Sequence, residues 1–566
     1  MKKYQVRERA TAGTRAALPE YSELLQDLLS ARNIFDSTTA AQFVTPDFER
    51  DSHDPFLLPD MHKAVERILA AQRLNEPVAV WSDYDCDGIP GGVLLTEFLR
   101  SIGLVVRHYI PHRHKEGYGL NLPGLDELAQ QGIKVVLTVD LGTTNHEEIL
   151  YAQNKGMDVI VTDHHIVSDM LCPAYALINP KRPDSKYPFD GLCGAGVAWK
   201  LVQGVLQKMR ESGQENGYTD GKEKWLLDLV GLGTLSDMVP LVGENRMLAR
   251  YGLLVMRKNR RPGLASLLSL LRIKPGSLVE DDIGFMIAPR INAASRMDSP
   301  ELAARLLATA DAPEARELAK QLNGINDERK GLVASIVKET NKRLALMEHV
   351  EPVLVMGNPN WRPGVLGLVA NSLAQAHNKP VFLWGREGGE LLRGSCRSDG
   401  HTNIVELMHK AGDVFDHFGG HAASGGFSLL EERVHELGPR LNDAFATLEA
   451  RSSQDTEIMI DRELELAEIS HAHRELVHLA PFGIDNPKPL FLFPNIIVSS
   501  VRMFGKKTDH LELGFSRDGV RNSGVAFFST VDSFQKPVIE GMKADVIGHV
   551  ETDWNGRPRL RVVDVI

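Results

Sequence analysis

From about residue 51 to about residue 305, short apolar runs alternate with segments whose apolar residues recur every three or four positions. Runs at 78–80, 105–110, 134–139 and 157–162 are bounded by turn residues and predict buried strands. Strands separated by helical patterns predict an α/β domain built on a parallel sheet. Gly88-Ile-Pro-Gly-Gly92 turns the first strand into a helix, and Pro90 suits its first turn. Asp311-Ala-Pro-Glu314 reads as a capping box opening a helix of some 30 residues, roughly 45 Å long. Leu318, Leu322, Ile325, Leu332 and Ile336 form its apolar face, and Asn326-Asp-Glu-Arg-Lys330 falls on the polar side. Such a helix either bridges two domains across a cleft or packs as an ordinary helix. Strands at 352–356, 381–384 and 391–396 bracket a helix at 365–375 and predict a second α/β domain. A Ser/Gln/Asp-rich linker at 450–457 precedes strand patterns at 496–503, 510–515 and 544–550, which suggest a small β-barrel. The expected division is a helical lead-in at 1–50, an α/β domain at 51–305, a connecting helix at 306–350, a second α/β domain at 351–450 and a barrel at 458–566.

Composition adds bounds to that pattern. A chain of 566 residues exceeds one hydrophobic core, and 43% hydrophobic with 25% charged residues describes an ordinary globular protein. The four cysteines, Cys86, Cys172, Cys193 and Cys396, lack metal or redox spacing, which fits a reducing cytoplasm. The N-terminus has no apolar stretch of the signal-peptide kind, and no apolar run approaches a membrane span. The net charge of −11 runs against nucleic-acid binding as a bulk property. Binding depends on local charge, however, and basic groups cluster at 107–115, at 257–261 and at Lys506-Lys507. Each of these also fits a solvated face.

The chemistry sits where the first strands end. The run at 78–80 leads into Trp81-Ser-Asp83-Tyr-Asp85-Cys-Asp87-Gly88, and alternate residues of an extended chain point to one side. Adjacent carboxylates resist joint ionisation unless a cation lies among them. The next strands end in Asp140-Leu-Gly142 and in Asp163-His164-His165, and Gly231-Leu-Gly-Thr-Leu-Ser-Asp237 places another Asp in a Gly-flanked turn. One Asp at a strand end is ordinarily a helix cap; four such sites in chain order are poorly explained that way. Ligand groups in open parallel sheets collect at the carboxyl ends of the strands. Oxygen ligands joined by imidazole suit Mn²⁺, with Mg²⁺ or Zn²⁺ as alternatives. The loop holding His112, Arg113, His114 and Lys115 also follows a strand end and points to phosphate contact. His421, flanked by Gly419, Gly420 and Gly425 and downstream of Ser395-Cys-Arg397, is a candidate substrate contact rather than a core histidine.

Those four motifs resemble the phosphoesterase motifs of the DHH superfamily. Further stretches resemble its RecJ branch of single-strand-specific exonucleases: Asp54-Pro-Phe-Leu-Leu-Pro-Asp-Met61, Ile110 to Gly119, and Pro289-Arg-Ile-Asn-Ala-Ala-Ser-Arg-Met297. Trp361 to Val369, Arg393 to Ser398 and Gly419 to Gly425 resemble the DHHA1 half, and Ala480 to Pro487 the opening of a C-terminal OB domain. The resemblance runs from about residue 25 to the end. Trp81-Ser82, Ile89 to Gly92, Ser295 and Asp485 depart from the usual pattern without removing a ligand position.

What the resemblance implies is a metal-dependent 5′-to-3′ exonuclease that degrades single-stranded DNA to mononucleotides in DNA repair and recombination. By the same resemblance two divalent ions are expected, Mn²⁺ ahead of Mg²⁺. Asp140 would bridge them, with Asp83 on one and Asp85, His164 and Asp237 on the other. His165 would contact the scissile phosphate and Asp163 would orient the histidine pair. Asp87 stands between a catalytic role and a turn or cap. Arg290 and Arg296 are candidates to clamp phosphates or tie domains together. Arg113, Ser395 and Arg397 are expected to receive a 5′-phosphate, and Lys506 and Lys507 to bind DNA on the barrel. The implied protein is a cytoplasmic monomer acting on single-stranded DNA, with a single-strand-binding protein and a helicase as partners and no membrane. Two other readings compete. A small-substrate phosphoesterase would not need residues 458–566, and a non-catalytic scaffold would have lost ligands that are all present.

Overall fold

The computed structural model describes residues 3–213, 221–386, 391–448, 457–505, 509–553 and 555–566. Lys506 and Lys507, and most of the 450–457 linker, lie outside the described residues.

Five parallel strands, β1 (Val78–Ser82), β2 (Val106–Tyr109), β3 (Val135–Val139), β4 (Asp158–Thr162) and β5 (Ala176–Ile178), form the first sheet in the order β2-β1-β3-β4-β5. Both faces are covered, as an all-parallel sheet requires. Val78, Val80, Leu137, Val139 and Ile160 enter one core, whereas Ala79, Trp81, Val136, Val159 and Val161 enter another. This alternation accounts for Trp81. Its ring is fully buried on the face away from Ser82 and stacks on Tyr109 at 4.2 Å. A Cβ at Gly124 would lie 2.4 Å from the indole, so a glycine is needed there. Helix α1 (Gly88–Ser101) leaves β1 with Pro90 in its first turn. Helices α2 (Gly194–Glu211), α3 (Leu227–Ser236), α4 (Gly243–Arg257) and α5 (Ala288–Met297) complete the domain around the same core.

Helix α6 (Ala312–Leu344) has 33 residues and begins where the capping pattern places it. The Asp311 carboxylate accepts from the Glu314 amide, but the reciprocal arm of a capping box is missing. The Glu314 carboxylate instead takes the Thr309 hydroxyl and the Arg305 guanidinium. Asn326 is also displaced from its expected polar face: it is fully buried. The helix does bridge two domains. Its first half packs on the core of the first domain through Leu318 and Leu322, and its second half packs on the next domain through Ile336 and Leu344. That domain is a mixed sheet of β6 (Leu354–Gly357), β7 (Val381–Gly385), β8 (Leu391–Arg397), β9 (His417–His421) and β10 (Ser424–Leu430), in the order β9-β10-β8-β7-β6.

The C-terminal strands β11 (Phe491–Phe504), β12 (His510–Arg517), β13 (Val520–Ala526), β14 (Lys543–Thr552) and β15 (Pro558–Val565) run in the order β11-β12-β13-β15-β14. Pairing of β11 with β14 closes the barrel. The barrel does not stand alone. Leu18, Leu24, Leu25, Leu28, Leu29, Phe43 and Val44 from the lead-in share one core with Phe491, Phe493, Val498, Leu513 and Phe515. Tyr4–Val6 also pairs in parallel with Ile458–Ile460. The lead-in is therefore structurally part of the C-terminal unit. Arg246 of α4, 1% exposed, pins that unit to the first α/β domain. Its guanidinium lies 3.9 Å from the Phe43 ring centroid and donates to the carbonyls of Phe43, His478, Leu479, Ala480 and Pro481.

Candidate active site

The acidic residues converge at the carboxyl end of the first sheet. Asp83 and Asp85 follow β1, Asp140 follows β3, and Asp163, His164 and His165 follow β4. Asp237 arrives differently from the expectation: it caps the C-terminus of helix α3 rather than leaving a strand. Gly231 of α3 packs directly on Gly252 of α4, and that close approach seats the helix end. Asp140 has φ +64, the left-handed region a non-glycine residue enters at some cost. Gly194 lies so close to it that a Cβ would sit 2.4 Å from the Asp140 Cβ.

Ligand-type atoms fall into three overlapping groups: Asp83, Asp85 and Asp140; Asp140, His164 and His165; and Asp87, His164 and Asp237. Atoms within each group lie within 4.8 Å of one another. Asp85 thus groups with Asp83, and Asp87 takes the place beside His164 and Asp237 where Asp85 was expected. Asp87 is also a cap, because it accepts from the Gly194 and Ala195 amides at 2.5 and 2.9 Å and holds the N-terminus of α2. Asp85 in turn accepts from the Asp87 and Gly88 amides at 2.8 and 3.0 Å.

The electrostatics are those of a site built for cations. Burial and mutual repulsion push Asp83 and Asp140 well above the ordinary carboxylate range, Asp87 to about 6 and Asp237 to about 9. Burial, then the neighbouring His165, lowers His164 to about 3, so its imidazole is neutral and can ligate. Asp83 Oδ1, Asp140 Oδ1 and His164 Nε2 are buried without a hydrogen-bond partner, as befits atoms whose partner is a metal ion. Asp163 is the opposite case. Burial opposes its charge, yet the hydrogen bonds of His165 and the Thr143 amide hold it below the usual range. His165 Nδ1 lies 2.7 Å from Asp163, and despite burial that contact raises the His165 pKa. Asn179, fully buried, fixes the same loop by donating to Thr143 Oγ1 and to the His165 carbonyl.

A thermal consequence follows. A carboxylate raised from about 3.9 when unfolded to about 6 at Asp87 or about 9 at Asp237 contributes stability at low pH that is lost as pH rises through the folded value. In chelator, Tm is expected to fall from about pH 4 to about pH 9, the Asp87 share by about pH 6 and the Asp237 share up to about pH 9, and Mn²⁺ to raise Tm more at pH 8.5 than at pH 6. An equal Mn²⁺ shift at both pH values would contradict this.

Across a cleft of about 590 Å³, Tyr84, Arg113 and Tyr118 of the first domain face Arg393, Ser395 and Phe427 of the second. The Arg113 guanidinium lies 4.9 Å from the Tyr84 ring centroid. Arg397 donates to the Cys396 carbonyl, and Arg296 to the Gly364 carbonyl. None of the three has a carboxylate within ion-pair distance among the described residues. Burial and the charges of Arg113, Arg329 and Arg397 push Arg296 down to about 10, the mark of cations lacking their anion.

Two of the expected catalytic residues do not group with the cluster's ligand-type atoms. Arg290 donates to Asn323 of α6 and to the Met286 carbonyl, so it joins helices. From the same run, Asn292 reaches the first motif, its Oδ1 accepting from the Cys86 amide at 2.8 Å. His421 ends β9 opposite Ser424, exposed, and is not among the residues lining the cleft. Reading the sequence missed Asn292, Asn179, Gly194 and Ala195. The small-residue run Gly191 to Gly196 was the available signal for the last two.

Residues 77–234 match the N-terminal domain of the DHH family, 350–447 the DHHA1 domain and 460–564 the RecJ OB domain. Over 501 residues the chain is 32% identical to the single-stranded-DNA-specific exonuclease RecJ of Dickeya dadantii, covering 86% of each. The chain belongs to the RecJ family. RecJ of Bacillus subtilis is 31% identical over 546 residues, which is 96% of this chain and 67% of that one. The crystal structure of RecJ from Thermus thermophilus in complex with Mn²⁺ superposes with a TM-score of 0.81 at 28% identity, covering all of this chain and 79% of that one. The same protein with Mg²⁺ gives 0.75 at 26%. In this RecJ-family chain the three family domains fall on the two α/β units and the barrel. No helix among the described residues is long and apolar enough to cross a membrane.

Proposed function

We propose that this chain is a metal-dependent exonuclease that degrades single-stranded DNA from its 5′ end to mononucleotides. The observation that carries the reading is the buried carboxylate–imidazole cluster with three mutually close arginines beside it, Arg113, Arg296 and Arg397, that have no carboxylate within ion-pair distance among the described residues. The cluster fits two divalent ions: Asp83, Asp85 and Asp140 would hold one, and Asp140, His164 and Asp237 the other, with Asp87 beside them. When bound, such ions neutralise phosphoryl charge and activate a water. His165, held through Nδ1 by an ionised Asp163, keeps a proton on Nε2 to donate to the scissile phosphate. Arg113 and Arg397 supply forked donors, and Ser395 a hydroxyl, to a terminal phosphate dianion that internal positions lack. Arg296 adds charge from beneath. Tyr118, exposed, offers a ring face beside the path of the strand.

Hydrolysis of a labelled single strand but not of its duplex in Mn²⁺ or Mg²⁺, and its loss in chelator, tests the reading. Polarity has a sharper test. Arg397→Ala is expected to slow digestion of 5′-phosphorylated strands about tenfold more than that of 5′-hydroxyl strands. Equal slowing would reduce Arg397 to a structural role, and release from the 3′ end would overturn the polarity. Family membership also supports a cytoplasmic monomer acting in repair and recombination beside a single-strand-binding protein and a helicase.

A further inference from the structure

Helix α1 has the metal cluster at one end and an unassigned cavity at the other. Gly88, its first residue, abuts Asp83, whereas Glu97, Phe98 and Ser101 near its end line a cavity of about 530 Å³. A 14-residue helix spans roughly 20 Å, so the two sites are distinct. The volume lies within the roughly 300–1,000 Å³ of small-molecule pockets.

The lining is apolar at its base and cationic at its rim. Phe98, Val255, Met256 and Leu264 provide the base. Two carboxylates, Glu97 and Asp228, also line it; Arg261 pairs with both at 2.7 Å, and with Lys222 and Arg260 the lining carries a formal net charge of +1. Arg260 has no such partner among the described residues. Its guanidinium lies 4.1 Å from the ring centroid of Trp225, which is 42% exposed. Asn259, also in the lining and held at φ +55, offers a side-chain amide with no hydrogen bond among the described residues. The parts are an exposed indole, an amide, an apolar base and a guanidinium with no carboxylate within ion-pair distance among the described residues. They match a flat heterocycle carrying a phosphate better than either half alone.

We propose that this cavity binds a nucleoside monophosphate, with the base against Trp225, its edge on Asn259 and the phosphate on Arg260. Mononucleotides are what the proposed nuclease reaction releases, so the site would respond to product. Binding itself does not depend on that reading.

Calorimetric titration of the full-length protein in chelator with dAMP, deoxyadenosine or orthophosphate tests it. Binding of dAMP is expected, at least tenfold tighter than either fragment. Trp225→Ala and Arg260→Gln should each weaken it tenfold or more at unchanged Tm, Trp225→Phe should retain most of it, and Arg397→Ala, in the catalytic cleft, should leave it intact. No dAMP binding, binding indifferent to Trp225→Ala and Arg260→Gln, or binding lost in Arg397→Ala would overturn the proposal. Persistence of Trp225-dependent binding in a protein that cuts no DNA would sink the nuclease reading and leave this one standing.

Discussion

Replacing Asp140 with alanine is expected to lower single-strand hydrolysis by about a thousandfold or more, equivalent to roughly 4 kcal/mol of lost transition-state stabilisation. Asp140 belongs both to the group with Asp83 and Asp85 and to the group with His164 and His165. No other carboxylate in the cluster is shared in this way. Its loss would remove a ligand from both ions together. The left-handed backbone at this position makes alanine a strained replacement, so Asp140→Asn is the better variant. Asparagine keeps the volume and tolerates positive φ but carries no charge. Both variants are expected to lose activity alike, with Tm in chelator held or raised in Asp140→Asn because a buried repulsion is relieved. Cleavage within tenfold of wild type in Asp140→Asn, at saturating Mn²⁺, would show that the shared carboxylate is dispensable.

The second large effect concerns integrity rather than chemistry. Arg246→Met is expected to cost about 3–5 kcal/mol, because the Phe43, His478 and Ala480 carbonyls lose their donor and those of Leu479 and Pro481 keep only Asn486, while the stem is replaced by a comparable apolar chain. Arg246→Lys should recover little. An ammonium has three donors in no fixed plane and leaves carbonyls unmet. The acceptors belong to two segments, Phe43 of the lead-in and 478–481 before the barrel. The damage should therefore appear first as separation of the C-terminal unit. Denaturant unfolding would then resolve into two transitions, and proteolysis would begin between the second α/β domain and the barrel. A single transition at the wild-type midpoint would exclude the pinning role.

The parts of this molecule that sequence reveals are those governed by short-range pattern. Strands buried on both faces must be apolar throughout, and a catalytic Asp at each strand end is conspicuous against that background. Helix α6 was legible from its N-cap and apolar spacing. What pattern conceals is partner choice. Asp85 and Asp87 are two residues apart and chemically identical, yet one caps the following helix while the other reaches the distant amides of Gly194 and Ala195. In Pro289 to Met297 the arginines attract notice, but the neutral Asn292 makes the contact with the first motif. Arg290, the more conspicuous residue, ties two helices. The lead-in looked inert because its apolar residues have no partner nearby in sequence. Their partners lie more than 400 positions away, in a barrel whose own core they complete.

That long-range closure bears on how the protein is made. Tyr4–Val6 is translated about 450 residues before its pairing partner Ile458–Ile460. At roughly 5–20 residues per second, the nascent lead-in waits on the order of 20–90 seconds with Leu24, Leu25, Leu28 and Leu29 uncovered. Meanwhile both α/β domains can complete themselves. A segment translated ahead of both α/β domains is thus the last to find its place, and a chaperone that shields an amphipathic helix during elongation would have its longest engagement there.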